Sequence, residues 1–151
     1  MADKVQFELV SPERLLLSEP VGMVIVPGTE GNFGVLPGHA LLIATVRPGV
    51  IDVYADEQTQ ITERIFVAGG FAEVTPERCT VLADEAVPVS SLDRGAIETQ
   101  LRALESTVGG LKDQAARLAG AERDDATAKL RAAERQVAVA AAKLAALGAV
   151  H

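Results

Sequence analysis

The sequence predicts an N-terminal antiparallel β-sandwich, in the form of a flattened barrel, followed by a C-terminal antiparallel α-helical hairpin. All seven prolines, all four phenylalanines and the one tyrosine lie within residues 1–88, and alanine becomes the commonest residue after them. Apolar and polar residues alternate in the first part, which is typical of strands, and apolar residues recur every three or four positions in the second, which is typical of helices. We therefore expect a strand-rich domain over residues 1–88 and a helical domain over residues 89–151.

Short alternating segments predict the strands of the first domain. Residues 5–9 alternate apolar and polar, residues 50–54 and 62–67 flank the polar turn 55–58 as a hairpin would, and residues 79–82 form a last strand. Regular spacing of short strands favours a sandwich or flattened barrel. No helical stretch separates the strands, so we do not expect parallel crossovers between them.

Glycines are unusually dense between residues 28 and 49. Glycines at short intervals indicate tight turns or close backbone approach, and the residues between them are too apolar for a solvated linker. We interpret the segment as short strands around an ordered loop that carries Phe33 and His39 and serves to dock another molecule. Its glycines are Gly28, Gly31, Gly34, Gly38 and Gly49.

Two heptad-spaced stripes predict the helical hairpin. The first helix is expected to begin at a cap formed by Ser90 or Ser91, with Asp93 in its first turn, and Gly109-Gly110 is where it could end, bend or fray. A turn and a fresh helix start are expected over residues 120–125. The first stripe is Ile97, Leu101, Leu104, Val108, Leu111, Ala115 and Leu118, and the second is Ala126, Leu130, Ala133, Val137, Ala140, Leu144 and Leu147.

The composition argues against several kinds of function. Residues 1–88 carry a net charge of −8 and residues 89–151 a net charge of +1, which together give −7 and argue against a general nucleic-acid binder. No phosphate-binding loop or nucleophile elbow occurs, and only two histidines are available, one of them the terminal His151. The lone Cys79 lies in a strand pattern, where a buried inert thiol is expected. We therefore predict no catalytic residues, no metal site and no cofactor.

Two residues of the glycine-rich loop allow two interpretations each. His39 is either a loop histidine that caps the turn after Pro37 or a contact residue at an interface between subunits. Phe33, with glycines at positions 31 and 34, either fills the core or anchors a partner.

The order of residues around this loop resembles the epsilon subunit of F-type, proton-translocating ATP synthases. Residues 30–40, Glu-Gly-Asn-Phe-Gly-Val-Leu-Pro-Gly-His-Ala, resemble the signature loop of that family. Three further segments follow in the expected order: residues 47–51 resemble the next strand entry, residues 67–74 the glycine-paired hairpin, and residues 80–86 the strand that closes the first domain. The resemblance covers nearly the whole chain.

The resemblance implies a non-catalytic subunit of the central stalk, which couples proton flow to ATP synthesis by binding the gamma subunit and the membrane ring. It places His39 and Pro37 on the surface that faces gamma. It places the segment from Glu30 to Gly34, including Phe33, near the proton-carrying c ring. Because Asn32 stands where relatives often have an acidic or polar residue, we expect that contact to depend on shape and hydrogen bonding rather than on charge.

The resemblance also implies a regulatory role for the helical domain. In the family this domain inhibits ATP hydrolysis, and its basic residues approach an acidic stretch of the catalytic subunits in the alpha and beta assembly. The corresponding residues here are Lys129, Arg131, Arg135 and Lys143; otherwise they would form an ordinary solvated helix face.

Some bacterial members of the family bind ATP at a motif that opens the first helix. Leu92 and Asp93 match its start, but Ala96 and Ile97 replace its Arg-Ala pair, which argues against nucleotide binding.

Two other classes of protein fit parts of the sequence. A β-sandwich with a coiled-coil tail could be an unrelated adaptor that dimerises through its helices, and an enzyme could use a pair of surface carboxylates. The absence of an Arg- and Ser-rich leader favours a bacterial source. No apolar run reaches the roughly 20 residues that a membrane-spanning helix needs, so we expect a peripheral protein at the cytoplasmic face of the bacterial plasma membrane.

Overall fold

The computed structural model describes residues 4–56 and 60–148, and the chain divides into two compact units, one ending at Ser91 and the other beginning at Leu92. The first unit holds ten strands and a short 3₁₀ turn over Val89–Ser91. The strands are β1 (Val5–Val10), β2 (Leu15–Val21), β3 (Met23–Gly28), β4 (Gly31–Val35), β5 (Leu42–Val46), β6 (Gly49–Tyr54), β7 (Glu63–Val67), β8 (Gly70–Val74), β9 (Arg78–Ala83) and β10 (Ala86–Pro88).

The strands form one hydrogen-bonded sheet in the order β10-β7-β6-β3-β5-β8-β9-β1-β2, with β4 paired to β3. The predicted hairpin is confirmed, because β6 and β7 pair antiparallel. One pair is parallel: β1 lies beside β9, with Phe7 opposite Cys79. Parallel pairing was not expected. The intervening strands β2 to β8 connect β1 to β9, so no helical crossover is needed between them.

The segment from Val67 to Val74 is not a hairpin, contrary to the prediction. β7 pairs with β6 and β10, whereas β8 pairs with β5 and β9. Gly69 and Gly70 have φ angles of 125° and 141°, a backbone conformation that residues with a Cβ rarely adopt. These two glycines turn the chain from one part of the sheet to another.

The sheet encloses a single core built from the inward side of its strands. In β1, Val5, Phe7 and Leu9 are buried while the alternate residues are partly exposed, as the period-two pattern predicts. Phe7 and Phe66 are the largest fully buried side chains, and most of the remaining core is valine. The predicted fold class is confirmed, with small aliphatic side chains replacing the aromatic residues that the sequence lacks.

The second unit consists of two helices, α1 (Arg94–Arg117) and α2 (Gly120–Gly148), which pack against each other. The N-cap of α1 is Asp93, whose carboxylate accepts a hydrogen bond from the backbone N–H of Ala96 at 3.3 Å. The prediction of a cap at Ser90 or Ser91 is wrong because both serines belong to the preceding 3₁₀ turn.

The predicted fresh helix start over residues 120–125 is confirmed at Gly120, but the turn before it lies at residues 118–119 rather than within that range. α1 does not end at Gly109 and Gly110, which lie inside it, and it continues to Arg117. The two heptad stripes are the less exposed faces of their helices. On α2 the buried residues are small, which lets the helices approach closely; they are Ala126, Ala133, Ala140 and Ala146.

Among the described residues, neither helix combines the length and the apolar character that a membrane crossing requires. The division at Ser91 and Leu92 differs from the expected domain boundary by the 3₁₀ turn alone. The assignment of a docking domain to residues 1–88 and a regulatory domain to residues 89–151 remains a proposal.

Candidate functional site

The hairpin of β3 and β4 ends in the two-residue turn Thr29-Glu30, which we call the hairpin tip. Gly28 pairs with Gly31 on either side of it. Gly31 has a φ angle of 131°, and a Cβ on Gly28 would lie 2.7 Å from the carbonyl oxygen of Gly31. Glycine is therefore required on both sides of the tip. The side chain of Glu30, in the turn itself, is exposed.

The other predicted ring-facing residues follow along β4. Asn32 is exposed, and its Oδ1 accepts a hydrogen bond of 2.6 Å from Nη2 of Arg47. Phe33 is half-buried and packs against the core, which favours the core-filling interpretation over the exposed anchor. Gly34 is exposed on the same strand.

A second turn, which joins β4 to β5, holds Pro37 and His39. Gly38 has a φ angle of 83°, and its N–H donates to the carbonyl oxygen of Pro76 at 2.8 Å. The N–H of His39 donates to the carbonyl oxygen of Leu36 at 3.1 Å, and His39 Nδ1 lies 2.6 Å from the carbonyl oxygen of Ala40. The local bonds match the turn-capping interpretation of His39, while its half-exposed ring leaves a surface for contact.

Next to this turn, large apolar side chains lie exposed on the outer face of the sheet. The relative exposure is 77% for Leu41, 76% for Ile43, 56% for Phe71 and 49% for Leu82. We call these four residues the apolar stripe. Isolated exposed apolar residues are common, but a contiguous set is typical of a docking surface.

Strand register places Phe71 and Leu82 of the stripe in one row across the sheet, and Ile43, which lies opposite Glu73, is a diagonal neighbour of Phe71. Phe71 lies opposite Leu82 in the antiparallel pair of β8 and β9, and Leu82 lies opposite Val10 in the parallel pair of β9 and β1. Val10 in turn lies opposite Leu15, which is 55% exposed. A single row of apolar side chains therefore crosses four neighbouring strands.

A polar row lies beside it on the same face. Its members are Glu8, Thr80 and Glu73, which lie opposite one another in register, and Ile43 faces Glu73 across the next strand. Arg78 pairs with Glu8 at 3.4 Å. The surface thus combines a row of apolar side chains with an adjacent row that contains charged side chains, as protein interfaces commonly do.

Sequence reasoning identified the glycine-rich loop but missed the apolar stripe. The signal was present in residues 70–74, where Phe71 and Glu73 alternate with the buried Ala72 and Val74. An apolar residue on the polar side of an alternating strand is the pattern that could have revealed the surface.

The four basic residues predicted for the inhibitory contact all lie on α2, but they do not form a single cluster. Arg131 and Arg135 are one turn apart and exposed on the same side of the helix, whereas Lys129, two positions before Arg131, projects from nearly the opposite side. Lys129 pairs with Asp125 at 3.2 Å. Lys143 is half-buried farther along the helix. Arg131 and Arg135 are therefore the pair best arranged to meet an acidic surface together.

At the start of α1, the residues of the degenerate nucleotide motif have structural roles. Asp93 caps the helix through Ala96, and Leu92 is half-buried. Because the carboxylate of Asp93 is bonded to the backbone of its own helix, the presence of Asp93 at this position is explained by helix capping and requires no nucleotide.

Three titratable groups of the described residues have clearly shifted pKa values, and in each the main cause is burial. Burial raises the pKa of the Cys79 thiol to about 12, so the thiol stays protonated and unreactive at neutral pH. Burial raises the pKa of Asp52 against the opposing effect of Arg64, and burial together with repulsion from Glu63 raises the pKa of Glu19. Within residues 4–56 and 60–148, no group of three His, Cys, Asp or Glu side chains could hold a metal ion. The terminal His151 lies outside the described residues.

Comparisons with known proteins agree with this fold. Residues 4–89 match the family model of the ATP synthase delta/epsilon chain, β-sandwich domain. The chain is 62% identical over 111 residues to the ATP synthase epsilon chain of Rhodospirillum centenum, covering 72% of this chain and 76% of the relative. It is 44% identical over 131 residues to that of Parvibaculum lavamentivorans, covering 87% and 98%.

Solved structures share the fold at low sequence identity. A chain of the Euglena gracilis mitochondrial ATP synthase, in a structure of OSCP, F1 and the c-ring, has a TM-score of 0.70 at 23% identity, covering 95% of this chain and 81% of that one. A chain of the Tetrahymena thermophila mitochondrial ATP synthase central stalk and c-ring has a TM-score of 0.51 at 15% identity, covering 93% and 97%.

Proposed function

Because the chain belongs to the epsilon-subunit family of F-type ATP synthases, we propose that it is a non-catalytic subunit of the central stalk that docks on the gamma subunit and contacts the membrane c ring. In this role it couples proton flow to ATP synthesis. It would act as a peripheral subunit at the cytoplasmic face of a bacterial plasma membrane, in keeping with its bacterial relatives.

The observation that carries the proposal is the apolar stripe. Leu41 and Ile43 are three-quarters exposed, and Phe71 and Leu82 about half exposed, on one face of the sheet. An exposed apolar row beside a charged one is stabilised when a partner covers it, because burial removes apolar area from water. The gamma subunit is the partner we assign to it, because Leu41 lies two residues after His39, which the family resemblance assigns to the gamma-facing surface.

The hairpin tip is the part we assign to the membrane ring. Glu30 is exposed at the tip, and the glycines on either side allow close approach of the backbone. Phe33 supports the tip from within, since it packs against the core. A rigid, narrow projection of this kind suits contact with a loop of another subunit.

For the helical unit we propose regulation. In our proposal α2 restrains ATP hydrolysis when the hairpin leaves its folded arrangement, and Arg131 and Arg135 then approach acidic residues of the alpha and beta assembly. The two states would be in equilibrium and biased by partners. Alanine-rich helices suit this role because they keep a high helix propensity when they separate. No nucleotide is part of the proposal.

Ending the chain after Ser91 tests the regulatory role. The truncated chain keeps the buried Val89 and the whole strand-rich unit, so we expect the assembled ATP synthase to hydrolyse ATP several-fold faster than with the full chain. The measurement is the steady-state hydrolysis rate of the reconstituted complex, with the amount of bound subunit determined in the same sample.

A full-length chain with Arg131→Ala and Arg135→Ala is the companion variant. It keeps both helices and loses only the shared basic face, so it tests whether that face contributes to inhibition. We expect it to reproduce part of the increase. An unchanged hydrolysis rate with the truncated subunit fully bound would count against an inhibitory tail.

A further inference from the structure

The side chain of Arg47 joins the two strands on either side of the hairpin tip. Arg47 directly follows β5, and its Nη1 donates to the carbonyl oxygen of Gly28 at the end of β3. Its Nη2 donates to Oδ1 of Asn32 on β4 at 2.6 Å. One planar guanidinium therefore holds both strands next to the turn, a geometry that the fork of arginine donors allows and a lysine ammonium does not.

Backbone bonds tie the same turn to β5. The N–H of Arg47 donates to the carbonyl oxygen of Pro27 at 2.9 Å, and the N–H of Thr29 donates to the carbonyl oxygen of Thr45 at 3.0 Å. The hydroxyls of Thr29 and Thr45 are 2.6 Å apart. The tip is thus fastened at its base to a neighbouring strand rather than projecting as an isolated hairpin.

The acceptors of Arg47 are both neutral, and among the described residues its guanidinium has no carboxylate partner within ion-pair distance. An unneutralised cation that bonds to neutral oxygens makes charge-assisted bonds, which are stronger than neutral ones. The arrangement favours one conformation of the turn. It also occupies the amide oxygen of Asn32, which cannot at the same time be fully available to a partner.

We infer that Arg47 is a positioning residue that locks the hairpin tip in the shape that meets the membrane ring. Asn32 serves this lock, and the contact itself is made by Glu30 and the backbone of Gly31. The inference rests on the proposed function, and it replaces the role of Asn32 as a contact residue. A lock of this kind matters because a rotating partner transmits force only through a contact that holds its shape.

The first test measures the lock in the isolated full-length chain, without any partner. We expect amide hydrogen exchange at Thr29 to become about tenfold faster in Arg47→Ala, the effect of losing roughly one charge-assisted hydrogen bond from the locally closed state. Arg47→Lys should give an intermediate rate because it can keep only one of the two contacts. Asn32→Ala should also speed exchange, and the double variant should exceed Arg47→Ala only slightly.

The second test measures function in the reconstituted ATP synthase. In Arg47→Ala we expect ATP-driven proton pumping per ATP hydrolysed to fall several-fold, with Arg47→Lys between it and the unmodified subunit. Binding to the gamma subunit should stay within about twofold, since the apolar stripe is untouched. The matched control for both tests is Arg14→Ala, an exposed arginine of the same unit whose side chain makes no such bridge.

The outcomes separate this inference from the proposed function. Faster exchange at Thr29 together with a lower pumping ratio supports the lock and its role. Unchanged exchange overturns the lock, and faster exchange with an unchanged pumping ratio overturns its role in coupling. Neither contrary result affects the proposed docking of the apolar stripe on gamma. That proposal would be contradicted if the unmodified chain did not bind the gamma subunit.

Discussion

Replacing Phe71 with glutamate is expected to weaken binding to the gamma subunit by about 100-fold, which corresponds to roughly 2.7 kcal/mol. Phe71 lies at the end of the apolar row that is nearest to β5, opposite Leu82, and is 56% exposed in the isolated chain. Covering about 100 Å² of apolar surface at this position contributes roughly 2.5 kcal/mol. A carboxylate there adds the cost of removing a charge from water without a partner. The measurement is the dissociation constant for the gamma subunit, obtained by titration.

Gln60→Glu is the matched control for this substitution. It adds the same single negative charge at an exposed position outside the stripe, and we expect binding to change by less than about threefold. Because Phe71 faces outward, the urea midpoint of Phe71→Glu should stay near that of the unmodified chain. Equal affinity of Phe71→Glu and the unmodified chain would remove the stripe from the gamma interface.

Replacing Gly70 with alanine is expected to destabilise the strand-rich unit by about 3 kcal/mol or more. A Cβ at this position would lie 1.8 Å from the carbonyl oxygen of Leu82, and the φ angle of 141° is one that alanine rarely adopts. Relief requires moving β9 away from β8, which breaks the pairing of Gly70 with Ala83. Urea unfolding followed by the fluorescence of Tyr54, the one tyrosine, reports on this unit alone.

Gly109→Ala is the matched control, because it makes the same chemical change where a Cβ would meet no atom within 4 Å. Gly109 lies inside α1, so alanine should stabilise that helix by up to about 1 kcal/mol. Its effect is measured from the helical signal in circular dichroism. A Gly70→Ala chain that unfolds at the same urea concentration as the unmodified one would contradict the close approach of β8 and β9.

The parts of the fold with local periodicity could be predicted from the sequence. Alternation in residues 5–9 correctly placed Val5, Phe7 and Leu9 in the core, because side chains on a strand point alternately to its two faces. The polar turn between residues 54 and 62 predicted the pairing of β6 with β7. The heptad stripes likewise predicted which helix faces are less exposed, since helical periodicity is a property of neighbouring residues.

Features that depend on distant residues could not be predicted in this way. The parallel pairing of β1 with β9 joins residues about 70 positions apart, and no local pattern specifies it. The apolar row exists only because register aligns Leu15, Leu82 and Phe71 on three different strands. Arg47 was not singled out for the same reason, since its acceptors lie 19 and 15 residues earlier in the chain.

Local competition explains the error at the start of α1. Ser90, Ser91 and Asp93 are all good N-cap residues, so sequence preference alone cannot choose among them. The 3₁₀ turn Val89–Ser91, in which Val89 is buried, contains both serines, so neither of them caps α1. Asp93 is then the residue whose carboxylate reaches the N–H of Ala96. Asp93, rather than either serine, therefore caps α1.

The central claim is that the strand-rich unit docks on the gamma subunit, and sedimentation velocity of the two purified chains at micromolar concentration tests it most directly. We expect the unmodified chain to sediment with the cognate gamma subunit as a one-to-one complex, and the chain ending at Ser91 to do the same. Independent sedimentation of the two proteins, with no complex at these concentrations, would contradict the account.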